Sequence, residues 1–273
     1  MSTEINFVNS LIEGFFSHDK QIRTNSQEKF DELSKNLQEL IFCLSKISCE
    51  SQNKQIKLFS LVAIRKLLDI EGEKKLESKW KTFTNGFKNL IKSNLYKLLI
   101  SNNDVFLNNK IADTVSMVAA NIYSNKENWE ELTKYILEVF SQSSNIEEIS
   151  NKSFLFENAV NISKHLFILI PEEMVKNFKV ISNALTNFFK TENLTLKAKT
   201  SETIASIVDY LSAKEKIQFK PMAINILETT LKCSENAKEE SNVNFLILFL
   251  SLLLASYLLN KYFRYFSNVS FNA

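Results

Sequence analysis

The chain has 273 residues, of which 45% are hydrophobic and 11% aromatic, ample for a sizeable packed core. Three glycines and two prolines are too few to supply the tight turns of a sheet protein, so strand-rich folds are excluded. The 33 basic and 31 acidic residues are well mixed, with no lysine/arginine block to track phosphates, so nucleic acid is not an expected partner.

Apolar residues recur at helical spacing from the start. Ile5, Val8, Leu11, Ile12, Phe15 and Phe16 draw one stripe, and Ser17, His18 and Asp19 break it. A second helix carries Ile22, Phe30 and Leu33. The next pair is marked by Leu37, Leu40, Ile41, Leu44 and Ile47, then by Ile56, Phe59, Val62 and Leu67. A third pair runs through Phe87, Leu90, Ile91 and Leu98, then Leu107, Ile111, Val115 and Val118. A fourth takes Trp129, Leu132, Ile136, Val139 and Phe140, then 154–169. A fifth takes Phe178, Ile181, Leu185 and Phe188, then Leu196, Ile204, Ile207 and Leu211. A sixth opens near Lys214, with its second helix expected after Glu240.

Helix pairs at roughly 40 residues fall in the period of HEAT and armadillo repeats. One pair cannot bury both its apolar faces, so neighbours must stack. The expected fold is all-α, a right-handed α-solenoid of about six HEAT-type hairpins over residues 1–240. Second helices share an opening pattern: Asp19-Lys20-Gln21-Ile22-Arg23 matches Asn53-Lys54-Gln55-Ile56-Lys57, and Asn193-Leu194-Thr195-Leu196-Lys197 repeats the form. The Asp or Asn can cap exposed amides and the aliphatic residue enters the core. The cation is expected to reach an acid on a neighbouring repeat.

These residues carry a family resemblance. Segment 53–68, NKQIKLFSLVAIRKLL, resembles the second helix of the second HEAT repeat in importin-β-type karyopherins. The family's spacing of basic, small, aliphatic, two basic and two leucine positions is held here by Lys57, Ser60, Val62 to Ile64, Arg65, Lys66, Leu67 and Leu68. Phe7 to Arg23 is similar to the family's first repeat. Ile91 to Leu95 and Lys110 to Asp113 resemble the third, and Trp129-Glu130-Glu131-Leu132 the opening of the fourth. The resemblance covers about residues 5–235 and is nearest to the karyopherin-beta subgroup that imports ribosomal proteins and core histones. Asn108 departs from it, standing where the family has the first of two basic residues. Complete members also carry many more repeats than this chain has room for.

The resemblance implies binding without chemistry, as a nuclear import receptor or its N-terminal Ran-binding portion, in cytoplasm and nucleus. Ran in its GTP form would dock on second helices of the first repeats, with Lys57, Arg65 and Lys66 as candidate contacts. Phenylalanine-glycine repeats of nucleoporins would insert between first helices, and the cargo protein is not named by the sequence. The alternative is a general HEAT scaffold, tethered to a membrane through its tail. That tail, 241–273, carries no charge from Ser241 to Asn260. Three readings of it stay open: a final helix buried by a further repeat, an aberrant terminus, or a membrane anchor at Phe245–Leu259.

Catalysis has few candidates, and no enzyme activity, cofactor or metal is expected. His18 lies at a helix break, and His165 is expected as a satisfied core histidine. Neither has a cysteine at metal spacing. Cys43, Cys49 and Cys233 read as reduced thiols, with no disulfide between the first two because both fall on one helix. The acidic pairs Glu147-Glu148 and Glu172-Glu173 are expected at helix starts, where they suit the positive end of the dipole.

Overall fold

In the computed structural model, residues 2–68, 79–102 and 104–212 are described, together with Asn225 and Glu228. Twelve α-helices and two short 3₁₀ turns occur among these residues, and none of them is in a strand. The sixth hairpin expected from Lys214 onward, apart from Asn225 and Glu228, and the tail at 241–273, with Phe245–Leu259, lie outside the described residues, as does Cys233. Among the described residues no helix is long and apolar enough to cross a membrane.

The chain divides into two compact units, Met1–Thr133 and Lys134–Ala273. The first unit holds three hairpins: α1 (Ser2–Phe15) with α2 (Lys20–Leu33), α3 (Leu37–Glu50) with α4 (Lys54–Leu68), and α5 (Asn85–Ser101) with α6 (Val105–Ser124). First helices pack on first helices, α1 against α3 and α3 against α5, while α4 packs against α6. This is the stacking that the apolar stripes require.

The caps form as the shared opening pattern predicts. The Asp19 carboxylate accepts from the Gln21 amide at 2.7 Å, and the Asn53 side chain from the Gln55 amide at 2.9 Å. Asp104 does the same for Phe106 at 3.0 Å. Each satisfies an amide that the helix leaves without an internal partner. Behind the caps, Ile56 is buried as expected, but Ile22 is 48% exposed. The pattern is the same and the surroundings differ: α2 has α1 as its main neighbour, so one of its faces stays uncovered. Leu90 is also exposed, because Ile91, Leu95 and Leu98 hold the buried face of α5 and Leu90 sits off it.

Aromatic rings fill the first interface. Phe15, Phe30 and Phe59, from three different helices, meet pairwise at 5.0–6.0 Å, and Phe42 packs edge-on against Phe87 at 5.7 Å. At the other end of the unit, the Lys88 ammonium and the Trp80 indole N–H both donate to the Glu127 carboxylate. That acid joins α5, the 3₁₀ turn Lys79–Thr82 and the loop after α6, where Lys126 adopts the left-handed backbone with φ 60°.

α7 (Glu130–Ser141) leads into the second unit, which continues with α8 (Ile146–Asn151), α9 (Ser153–Leu169), α10 (Pro171–Lys176), α11 (Phe178–Phe188) and α12 (Leu194–Ile207). Here α9 packs on α12, and Phe188 gathers Phe140 and Phe156 around it. α8 and α10 are single short turns of helix. The pairs Glu147-Glu148 and Glu172-Glu173 occupy their first turns, as the dipole argument anticipates. First helices of the hairpins begin at residues 2, 37, 85, 130 and 178, steps of 35 and then 45–48 residues. The longer steps accommodate the 79–82 turn and the two short helices.

Candidate protein-binding surface

The second helices carry a repeated set of links that the apolar pattern does not reveal. In the first unit the Thr114 hydroxyl on α6 bonds the Lys110 carbonyl at 2.7 Å and lies 3.3 Å from the Leu61 carbonyl of α4. One residue earlier on α6, the Asp113 carboxylate takes the Arg65 guanidinium of α4 at 3.2 Å. The second unit repeats this register on α9 and α12. The Thr203 hydroxyl meets the Val160 carbonyl at 3.3 Å, and Glu202 takes the Lys164 ammonium at 2.6 Å. In both helices the acid and the threonine follow the capping residue, Asp104 or Asn193, by nine and ten positions. A lysine six positions after the cap completes the pattern, and in α12 this one, Lys199, pairs with Glu157 at 2.8 Å. Each interface is thus pinned in register by a buried hydroxyl and the ion pair beside it, with a second ion pair at Lys54–Asp104 in one and Lys199–Glu157 in the other.

This geometry corrects the role expected for the cation behind each cap. Arg23 donates to the Ser17 and His18 carbonyls of its own turn. Lys57 makes no ion pair among the described residues, while Lys54, three places earlier, bonds the Asp104 carboxylate at 2.7 Å. The link between hairpins is real, but other residues make it. Asp113 and Thr114 carry no mark in the apolar pattern; the shared spacing after the cap is the signal that finds them.

The three candidate contacts on α4 do not form one patch. At 100° per residue, Lys57 and Lys66 stand on opposite sides of the helix, with Arg65 between them and about 12 Å along the axis from Lys57. Lys66 is exposed. Arg65 is half-buried and held by Asp113. Lys57, also half-buried, lines a cleft of about 460 Å³ between the α3–α4 and α5–α6 turns.

The remaining reactive groups are scattered. His18 is exposed at the α1–α2 break. His165 is half-buried on α9 instead of in the core, because Ile162 and Leu166 take that helix's buried face. Burial pushes the Cys43 thiol up to about 11, helped by Glu4 and Glu39, so it is a packed and unreactive sulfur. Cys43 and Cys49, both on α3, are free thiols. Among the described residues no cluster of three metal-ligating side chains occurs.

Residues 103–258 match the sequence profile of the IPO5-like TPR-repeat family. The chain belongs to that family. TPR and HEAT repeats are both stacked helical hairpins, and the steps of 45–48 residues in this chain are those of the longer kind. No curated protein sequence matches the chain. Among solved structures, the chain superposes on the karyopherin Kap121p with a TM-score of 0.69 at 18% identity, over 94% of its own length. It superposes on Kap121p bound to RanGTP with a TM-score of 0.66 at 18% identity, over 98% of its length, and on Kap121p bound to Nup53p at 0.66 and 18% identity, over 92%. In each case it spans 23% of the karyopherin, about a quarter. The fold of this IPO5-like chain is therefore the α-solenoid of the importin-β-type karyopherins.

Proposed function

We propose that the chain is the Ran-binding portion of an importin-β-type nuclear transport receptor, working between cytoplasm and nucleus by protein–protein binding without catalysis. The observation that carries this reading is the superposition, over nearly all of the chain, on a karyopherin whose solved complexes include those with RanGTP and Nup53p. Ran in its GTP form and nucleoporin phenylalanine-glycine repeats are the proposed partners. Residues 1–240 would supply the binding solenoid. The second-helix face is the proposed Ran side; of the candidate contacts Lys57, Arg65 and Lys66, the neighbours Arg65 and Lys66 can share that face, while Lys57 stands on the opposite side of α4 from Lys66. Their positions divide the work: Lys66 is open to a partner, and Arg65 presents the edge of a guanidinium that Asp113 already orients.

The test is capture of Ran by the immobilised chain, with Ran loaded with GTP or GDP. GTP-selective capture, weakened about tenfold by Arg65→Glu combined with Lys66→Glu, supports the reading. Equal or absent capture of the two forms removes it and leaves a general HEAT-type scaffold.

A further inference from the structure

Of the three glycines in the chain, Gly86 alone follows an asparagine. Asn85 and Gly86 are the first two residues of α5, and both are exposed. The start of this helix differs from those of α2, α6 and α12, which Asp19, Asp104 and Asn193 cap with their side chains. Thr84 precedes α5 with an extended backbone, and its side chain bonds none of the amides that follow. The Gly86 N–H is one of those that a helix start leaves without an internal acceptor. Among the described residues neither it nor the Asn85 carboxamide has a partner. A Cβ built at Gly86 would meet nothing within 4 Å, so the space beside this residue is open.

We propose that Asn85-Gly86 is a self-modifying site of the folded protein, at which the asparagine is hydrolysed to aspartate and isoaspartate through a cyclic imide. The Gly86 backbone nitrogen loses its proton to solvent and attacks the Asn85 Cγ. As the N–Cγ bond forms, the side-chain nitrogen takes a proton from water and leaves as ammonia. Water then opens the imide. Cleavage of the N–Cγ bond gives aspartate, and cleavage of the bond to the Asn85 backbone carbonyl gives isoaspartate, with Cβ and Cγ now in the main chain. The net change is water taken up and ammonia released. Glycine matters because a side chain at 86 would crowd the closing ring. Closure turns Asn85 out of the helical backbone and breaks the first-turn bond from the Lys88 amide to the Thr84 carbonyl, 3.0 Å long. That is a single hydrogen bond at a helix end, so folding slows the reaction only about tenfold. Asparagines inside helices, such as Asn94 and Asn183, must break several, and neither is followed by glycine. The aspartate product places a charge in a first turn that has no acid, where the dipole favours it. Isoaspartate lengthens the main chain two residues before Phe87, whose ring packs on Phe42 at 5.7 Å.

The test holds the folded full chain in mildly alkaline buffer made with heavy-oxygen water, then digests it in ordinary water, so that only hydrolysis before digestion carries the label. Mass spectrometry of the tryptic peptide 82–88 reads residue 85, and an isoaspartyl methyltransferase separates the two products. Asn85 is expected to take up label before any other asparagine of the described residues, at about a tenth of its rate in the guanidinium-unfolded chain. Gly86→Ala displaces no neighbour and should keep the helical circular dichroism while slowing the labelling about tenfold or more. The proposal is overturned if residue 85 of the folded chain stays unlabelled while the unfolded chain reacts, if asparagines inside the described helices react as fast, or if Gly86→Ala takes up label at the wild-type rate.

Discussion

Individual residues set how closely the first two helices approach. Gly14 on α1 faces Ser26 on α2 so tightly that a Cβ at position 14 would lie 2.1 Å from the serine hydroxyl and 3.1 Å from its Cβ. Gly14→Ala gains helix propensity but must turn the Ser26 hydroxyl away and shift its Cβ by a few tenths of an ångström, and the expected net loss is about 1 kcal/mol in a denaturant melt. Adding Ser26→Ala removes the closest atom and should bring the double variant back near wild type; an equal loss in both would show that the contact is not the cause. Asp104 is the second residue-scale case. The hydrogen bond from Lys54, with help from the Phe106 and Leu107 amides, holds its carboxyl below the usual carboxylate range. A depressed folded value means that its contribution is present above the unfolded value of about 4 and is lost as pH falls through the folded one. Acid titration of wild type and Asp104→Asn should therefore diverge above about pH 4 and converge below it. The capping role of such residues could be read from the sequence, because Asp or Asn before a helical stripe has few other uses. The lysine partner could not, since it sits on another hairpin.

Between elements, the hydroxyl-and-ion-pair link decides register. Thr114 and Thr203 each reach a carbonyl of the preceding second helix from a buried position. Thr203→Val keeps the shape and removes the bond, and should cost about 1 kcal/mol. The Lys164–Glu202 pair flanking Thr203 is partly exposed, at 20% and 44% on its two sides. A double-mutant cycle on it should give a coupling of less than about 1 kcal/mol, so the hydroxyl matters as much as the charge pair. A coupling several times larger, with Thr203→Val silent, would reverse that ranking. The helices themselves were legible because their apolar stripes run at 3.6-residue spacing through α3, α5 and α11. α8 and α10 were visible only as acidic pairs at helix starts, since six residues are too short to draw a stripe.

Across the molecule, stability in stacked repeats is a sum over neighbours, so a helix with fewer neighbours opens more easily. α2 buries only Ser26 and Phe30, whereas α3 buries eight of its residues. Hydrogen exchange read by mass spectrometry should find the α2 amides exchanging well before those of α3 and α4; equal protection would contradict the argument. By itself the sequence determined that the chain is helical, that the helices come in pairs with polar breaks between them, and where the second helices are capped. Those properties are local, set by the periodicity of apolar side chains and by side-chain bonds to amides two or three residues away. Only the tertiary structure decided that Ile22 faces outward while Ile56 is buried, that Arg65 is tied to Asp113, and that Lys57 stands in a cleft apart from Lys66. Each of these depends on which neighbouring helix covers a given face, and residues some fifty positions apart in the chain carry no local mark of meeting.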